Sequence, residues 1–149
     1  MQHDIEVSDP SPDTLLRASQ RFLAALNVLI GHPGGFGVAP IGLLASHSLE
    51  VGLKAYLLTV GWTQKEIRTI GHDLVRAWTA AVSARLPLES DVPSWVKTLD
   101  LHHDRPFMYR YTPEGVGVGI PAPPDLSRLL AQTIEILVAA MPSEAGLDR

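Results

Sequence analysis

Between Leu44 and Val60 the chain leaves almost no polar flank. Leu49, Leu53, Tyr56, Leu57 and Val60 recur at helical spacing, and Leu44, Val51, Ala55 and Leu58 fill much of the remaining circumference. A helix that is apolar nearly all round belongs in the middle of a bundle. Two charges interrupt it. Glu50 and Lys54 stand four apart, acid first, the favourable order for an i,i+4 pair. In solvent such a pair contributes only ~0.2–0.5 kcal/mol. If the pair is buried, loss of one partner costs roughly 3–5 kcal/mol, because a bare charge is left behind.

The flanking segments read as amphipathic helices. Ser11-Pro12-Asp13 is a helix start, with a capping serine, a proline at the first helical position and an acid near the positive end of the dipole. Leu15, Ala18, Phe22, Ala25, Leu26 and Leu29 then share a face, with Arg17, Gln20 and Arg21 off it. The glycine-rich run from Gly31 to Gly37 stops that helix. It lacks the Lys-Ser/Thr of a phosphate-binding loop and follows a helix, so it reads as a connection. Pro40 opens the central helix, which ends at Gly61. Thr63 and Glu66 form a capping box for a short helix to about Ile70, with Gly71 as a left-handed cap.

From His72 a further helix turns Leu74, Val75, Trp78, Ala81 and Val82 inward until Pro87. Asp91-Val92-Pro93 starts another, with Trp95, Val96 and Leu99 apolar. Residues 105–124 read as irregular, with Val116, Val118 and Ile120 alternating with glycine as in a short hairpin arm. Asp125 caps the last helix, where Leu126, Leu129, Leu130, Ile134, Leu137 and Met141 face inward and Arg128, Gln132 and Glu135 outward. The expectation is one all-α domain spanning residues 1–149, an up-and-down four-helix bundle with additional short helices. Its core runs from about residue 11 to 141, with loose tails at 1–10 and 143–149.

Composition narrows the chemistry. The 149 residues carry 46% hydrophobic side chains, ordinary for a globular domain. A net charge of −4 argues against a broad nucleic-acid-binding face while permitting a small local one. The chain has no cysteine, which removes disulfides, thiolate catalysis and Cys-ligated zinc. The polar, acidic start MQHDIEVSDPSPD does not resemble a signal peptide, and no apolar run reaches the ~18 residues of a membrane span. A cytoplasmic protein with no membrane contact is expected.

Imidazole as a group changes charge near neutral pH, so His72 fits a general base, though a histidine at a helix start also fits a loop-fixing hydrogen bond, for instance to Glu50. Asp73 fits a first-turn acid. Glu50 and Lys54 either line a ligand cleft or fix helix register. Arg110, between Tyr109 and Tyr111, either stacks on a base and meets phosphate, or reaches Glu50 or Asp73 to pin its loop. Asp100, His102, His103 and Asp104 are metal-ligand types, and Asp100, His103 and Asp104 share a helical face. Without a further ligand motif they read as a solvated helix end, and no metal is expected. Trp62, Trp78 and Trp95 are expected in the core or an interface.

Three segments taken together, Ser48 to Leu58, Gly71-His72-Asp73-Leu74 and Tyr109-Arg110-Tyr111, resemble a HEPN domain (higher-eukaryote and prokaryote nucleotide-binding superfamily) across about residues 14 to 141. The resemblance implies a helical bundle, usually a homodimer. It also implies one of two roles: a metal-independent ribonuclease of toxin or defence systems, or an inactive binding and scaffold module, in some cases paired with a small nucleotidyltransferase. Catalytic members of that superfamily are similar in displaying an arginine and a histidine with four to six residues between them. Here Arg68 and His72 have only three between them, across Gly71, and no histidine follows Arg105 or Arg110 at that spacing. The expectation is therefore a non-catalytic, cofactor-free module that dimerises and binds a partner protein, such as a nucleotidyltransferase or antitoxin, or an RNA or nucleotide. Glu50, Lys54, His72, Asp73, Arg110 and Tyr111 would do the binding. The alternative is a degenerate ribonuclease using His72 with Arg110 or Arg68.

Overall fold

The computed structural model describes residues 8–32, 35, 37–112 and 117–142. Six helices follow in order: α1 (Pro12–Gly31), α2 (Val38–Thr59), α3 (Gln64–Ile70), α4 (Leu74–Ser83), α5 (Ser94–His103) and α6 (Pro123–Ala140). No strand occurs among the described residues, and the protein is an all-α helical bundle. No helix among them is long and apolar enough to cross a membrane.

α2 is the central element, as its apolar circumference requires. Thirteen of its 22 residues are buried, whereas α1 buries only Ser19 and Leu26 of its 20. The two run antiparallel. Leu16 lies near Leu58 and Thr59 at one end, and the Phe22 ring meets the His47 ring at 4.6 Å further along. At mid-length Ser19 Oγ donates to the Ser48 carbonyl and Ser48 Oγ donates to the Ser19 carbonyl, both at 2.7 Å. Each buried hydroxyl thereby satisfies itself on the opposite backbone, which holds the helices close without an uncompensated polar group.

α6 packs on both long helices. Ser127 near its start bonds Asn27, and Val138 and Met141 near its end lie beside Pro12 and Leu16, so it runs antiparallel to α1. α4 and α5 form a second antiparallel pair. Trp78 and Trp95 meet edge to face at 6.0 Å, and the Leu74 N–H donates to Asp100 Oδ1 at 2.7 Å. Trp78 and Trp95 are core residues, while Trp62 is half-buried against the core.

Most caps lie where the residues placed them. Ser11 caps α1 ahead of Pro12, and Thr63 and Glu66 form the capping box of α3. Gly71 follows α3 at φ 61°, a positive φ that favours glycine. Several boundaries differ. α2 begins at Val38, so Pro40 is its third residue; proline fits there because first-turn N–H groups have no helical acceptor. α4 begins at Leu74, and Asp73 is its N-cap, accepting the Arg76 N–H at 2.8 Å. α4 ends at Ser83, short of Pro87, where Arg85 takes a positive φ of 72°. α6 begins at Pro123, leaving Asp125 in its first turn with no capping bond.

Of the expected hairpin arm, Gly117 to Ile120 form no strand, and Val116 lies outside the described residues. Tyr109 OH donates to the Gly119 carbonyl at 2.7 Å and the Gly119 N–H donates to His102 Nε2 at 3.2 Å, so side chains hold this segment where strand pairing was expected. At the N-terminus, Asp9 and Pro10 of the expected tail accept hydrogen bonds from Arg68 and Gln64 on α3. Residues 1–7 and 143–149 of the two tails lie outside the described residues.

Two glycines of α2 permit close approach. A Cβ at Gly42 would overlap the Tyr109 ring, and one at Gly52 would stand 2.8 Å from Ser19 Oγ and 2.9 Å from Leu137 Cδ1. Gly52→Ala, which pushes α1 and α6 off α2 together, is expected to destabilise the fold by about 1–3 kcal/mol in urea unfolding. A variant as stable as the wild type would show that the three helices do not need this contact.

Candidate functional site

Glu50 sits in the middle of α2, 4% exposed, with its carboxylate fully engaged. Lys54, one turn later on the same face, donates from Nζ to Oε1 at 2.8 Å and to the Gly71 carbonyl at 2.7 Å. The expected i,i+4 pair therefore exists, and it is a largely buried one: the lysine side chain is 14% exposed. The turn at Gly71 delivers its carbonyl to Lys54 and, one residue on, the His72 ring to Glu50. His72 Nδ1 lies 3.1 and 3.2 Å from the two carboxylate oxygens. From the end of α5, His103 Nε2 completes the cluster at 2.6 Å from Oε2.

Burial alone raises the Glu50 pKa, but the His103 hydrogen bond, the Lys54 charge and further hydrogen bonds from Lys54 and His72 outweigh it. The carboxyl is held far below its ordinary value, so Glu50 is an anion at neutral pH. An ionised carboxylate only accepts, so both imidazoles turn an N–H toward it. For His72 this leaves Nε2 as the outward nitrogen, on a side chain that is 35% exposed. A carboxylate that fixes one ring nitrogen this way makes the other a defined proton acceptor.

Around His72 the surface is aromatic and cationic. Its ring meets those of His103 and Phe107 edge-on at 5.6 and 5.5 Å. The Arg110 guanidinium lies over the Phe107 ring, 5.5 Å from its centroid. Arg110 is exposed and makes no ion pair among the described residues, so of the two roles open to it, pinning to Glu50 or Asp73 is not the one adopted. Tyr111 is 71% exposed, whereas Tyr109 is buried over Gly42, and burial pushes its phenol pKa up. The Tyr109-Arg110-Tyr111 run thus splits into an anchor and two surface residues.

Other candidates go elsewhere. Arg68 is exposed and pairs with Asp9 at 3.2 Å. Asp73 is spent on its cap. The helix end Asp100 to Asp104 is not simply solvated: His103 is 1% exposed and inside the cluster, His102 is buried against Gly119, and Asp100 accepts the first N–H of α4. Desolvation raises the Asp100 pKa, opposed by the Leu74 N–H.

His103 follows Val96 and Leu99 at core-facing helical spacing, a signal that it turns inward. His47 carries no local signal that marks it as a site residue. It lies one turn before Glu50, with burial first among the causes lowering its pKa, helped by His103, Arg110 and His72 and opposed by Glu50.

Glu50, His72 and His103 offer ligand atoms within 4.8 Å of one another, the spread of a three-ligand metal site. The Lys54 ammonium already occupies that carboxylate, however, so a divalent ion would share one anion with a fixed cation in a buried space. The donor set fits an internally compensated hydrogen-bond cluster better than a metal centre.

Comparisons with protein-family models, curated proteins and solved structures find no match to this chain.

Glu50→Ala leaves Lys54 without its counter-charge and is expected to cost roughly 3–5 kcal/mol at neutral pH in urea unfolding. Because the folded carboxyl has the lower pKa, the unfolded chain takes up the proton first as pH falls. The Glu50 contribution is therefore complete above the ordinary value of 4.5 and declines below it. The gap between wild type and Glu50→Ala should narrow in that acidic range; a gap independent of pH would mean that the carboxylate charge is not what stabilises the cluster.

Proposed function

We propose that the chain is a HEPN-like helical module, non-catalytic, which binds an RNA or nucleotide-like ligand on the surface formed by His72, Phe107, Arg110 and Tyr111. The observation that carries this reading is the row of His72, Phe107 and Arg110, in which an exposed guanidinium, with no acidic partner among the described residues, lies over an aromatic ring that a half-exposed imidazole meets edge-on. Single-stranded nucleic acid is recognised by such combinations of ring faces for bases and cations for phosphate. Glu50 and Lys54 serve this surface from behind, by fixing His72, and do not themselves meet the ligand. The homodimer and a nucleotidyltransferase or antitoxin partner belong to the same proposal and rest on the resemblance alone.

The alternative, a metal-independent ribonuclease, is favoured by one feature: Glu50 holds His72 with Nε2 outward, as a general base requires. Against it, Arg68 is committed to Asp9, and Arg110 and His72 each engage the Phe107 ring.

Fluorescence anisotropy with single-stranded RNA tests the binding reading. Wild type should bind, and Arg110→Ala should weaken binding and lower the salt slope by about 1. Equal affinity in folded Arg110→Ala would remove that surface from the reading. The same samples incubated with RNA in EDTA decide the chemistry. Intact RNA is the expected result, while cleavage lost in folded His72→Ala would replace a binding module with an enzyme.

A further inference from the structure

Where α1 and α2 meet the segment after α5 there is a cavity of about 240 Å³, lined by Phe22, Leu43, Leu44, His47 and Arg110. Its wall is almost wholly apolar, with one imidazole and one guanidinium as its polar side chains. We propose that this cavity binds a small organic anion, a carboxylate on an aromatic-sized apolar body, with the carboxylate on Arg110 and the body among Phe22, Leu43 and Leu44. This goes beyond the RNA reading, with which it shares only Arg110.

Three observations carry it. The space suits a single ring, since a cavity of ~150 Å³ is enough to hold benzene. Arg110 lies over Phe107 and has no acidic partner among the described residues, so its planar fork is available to a carboxylate, the geometry it matches bidentately. The Phe22 and His47 rings, edge to face at 4.6 Å, give the space an aromatic wall against which a ring can pack.

That edge-to-face contact also fixes the orientation of the His47 ring. Burial lowers the His47 pKa, which favours the neutral imidazole. The cavity then presents a single positive charge, which fits a carboxylate monoanion better than a doubly charged phosphate.

The test is a two-dimensional amide NMR titration of the full chain with sodium benzoate, beside benzamide as its uncharged counterpart. Saturable shifts around Phe22, Leu43, Leu44 and His47 are expected with benzoate, and about tenfold weaker binding or none with benzamide. Arg110→Gln should weaken benzoate about tenfold or more, and Leu44→Trp, checked for folding by circular dichroism, should abolish binding by filling the space. Equal binding of benzamide, unchanged benzoate affinity in Arg110→Gln, or no saturable shift at the cavity would each overturn the proposal. The wild-type comparison needs no variant, so a misfolded Leu44→Trp leaves the proposal testable. RNA anisotropy scores the other reading separately: a chain that binds benzoate but no RNA keeps this inference and loses that one.

Discussion

A single buried negative charge organises this bundle. Glu50 lies on the most enclosed helix, where an unpaired carboxylate would be prohibitively costly. Three donors from three places meet that cost: Lys54 one turn along α2, His72 from the turn before α4, and His103 from the end of α5. Lys54 spends a second donor on the Gly71 carbonyl. The charge therefore ties together the central helix, the turn after α3 and the second helical pair. Apolar packing alone lets such elements slide against one another; directional bonds to a fixed anion specify where each must stop.

The same arrangement separates framework from surface. The Glu50 carboxylate, the Lys54 ammonium, His72 Nδ1 and His103 Nε2 are consumed by one another. What remains outward is the far nitrogen of His72, the Phe107 ring and the Arg110 guanidinium. A site built this way has its geometry set by buried groups and its chemistry offered by exposed ones, the relation of supporting to contacting residues found in positioned active and binding sites. Tyr109 does similar work on the adjoining segment: its ring packs on the bare backbone of Gly42 and its hydroxyl holds Gly119, so Arg110 stands next to a fixed residue.

Much of this was legible in the residues. The largely apolar circumference of Leu44 to Val60 marks α2 as the inner helix, and the four-residue spacing of Glu50 and Lys54 marks a pair, because both signals are local. Ser11 and the Thr63–Glu66 box are equally local, and they cap helices as expected. The misplaced boundaries share one cause. Pro40, Pro87 and Asp125 are consistent with a helix start or stop at several neighbouring positions, and tertiary context chose among them.

The destination of His103 lies 53 residues from its partner in sequence. Its core-facing position after Val96 and Leu99 points inward, but nothing local says that a carboxylate waits there. Arg110 posed the opposite difficulty. Its flanking tyrosines look alike in sequence, and only the space above Gly42 separates a buried anchor from a surface ring.

The spread of donors along the chain bears on how the protein is made. α1 and α2 are joined by a short connection and can find each other early, since nearby segments close at little entropic cost. His103, which makes the shortest of the bonds to Glu50, is still inside the ribosome when α4 emerges. Until α5 arrives, the hairpin carries a half-compensated charge on what will become its most enclosed face. Water must remain there, and the nascent bundle stays loose at its centre until the second half of the chain seals it.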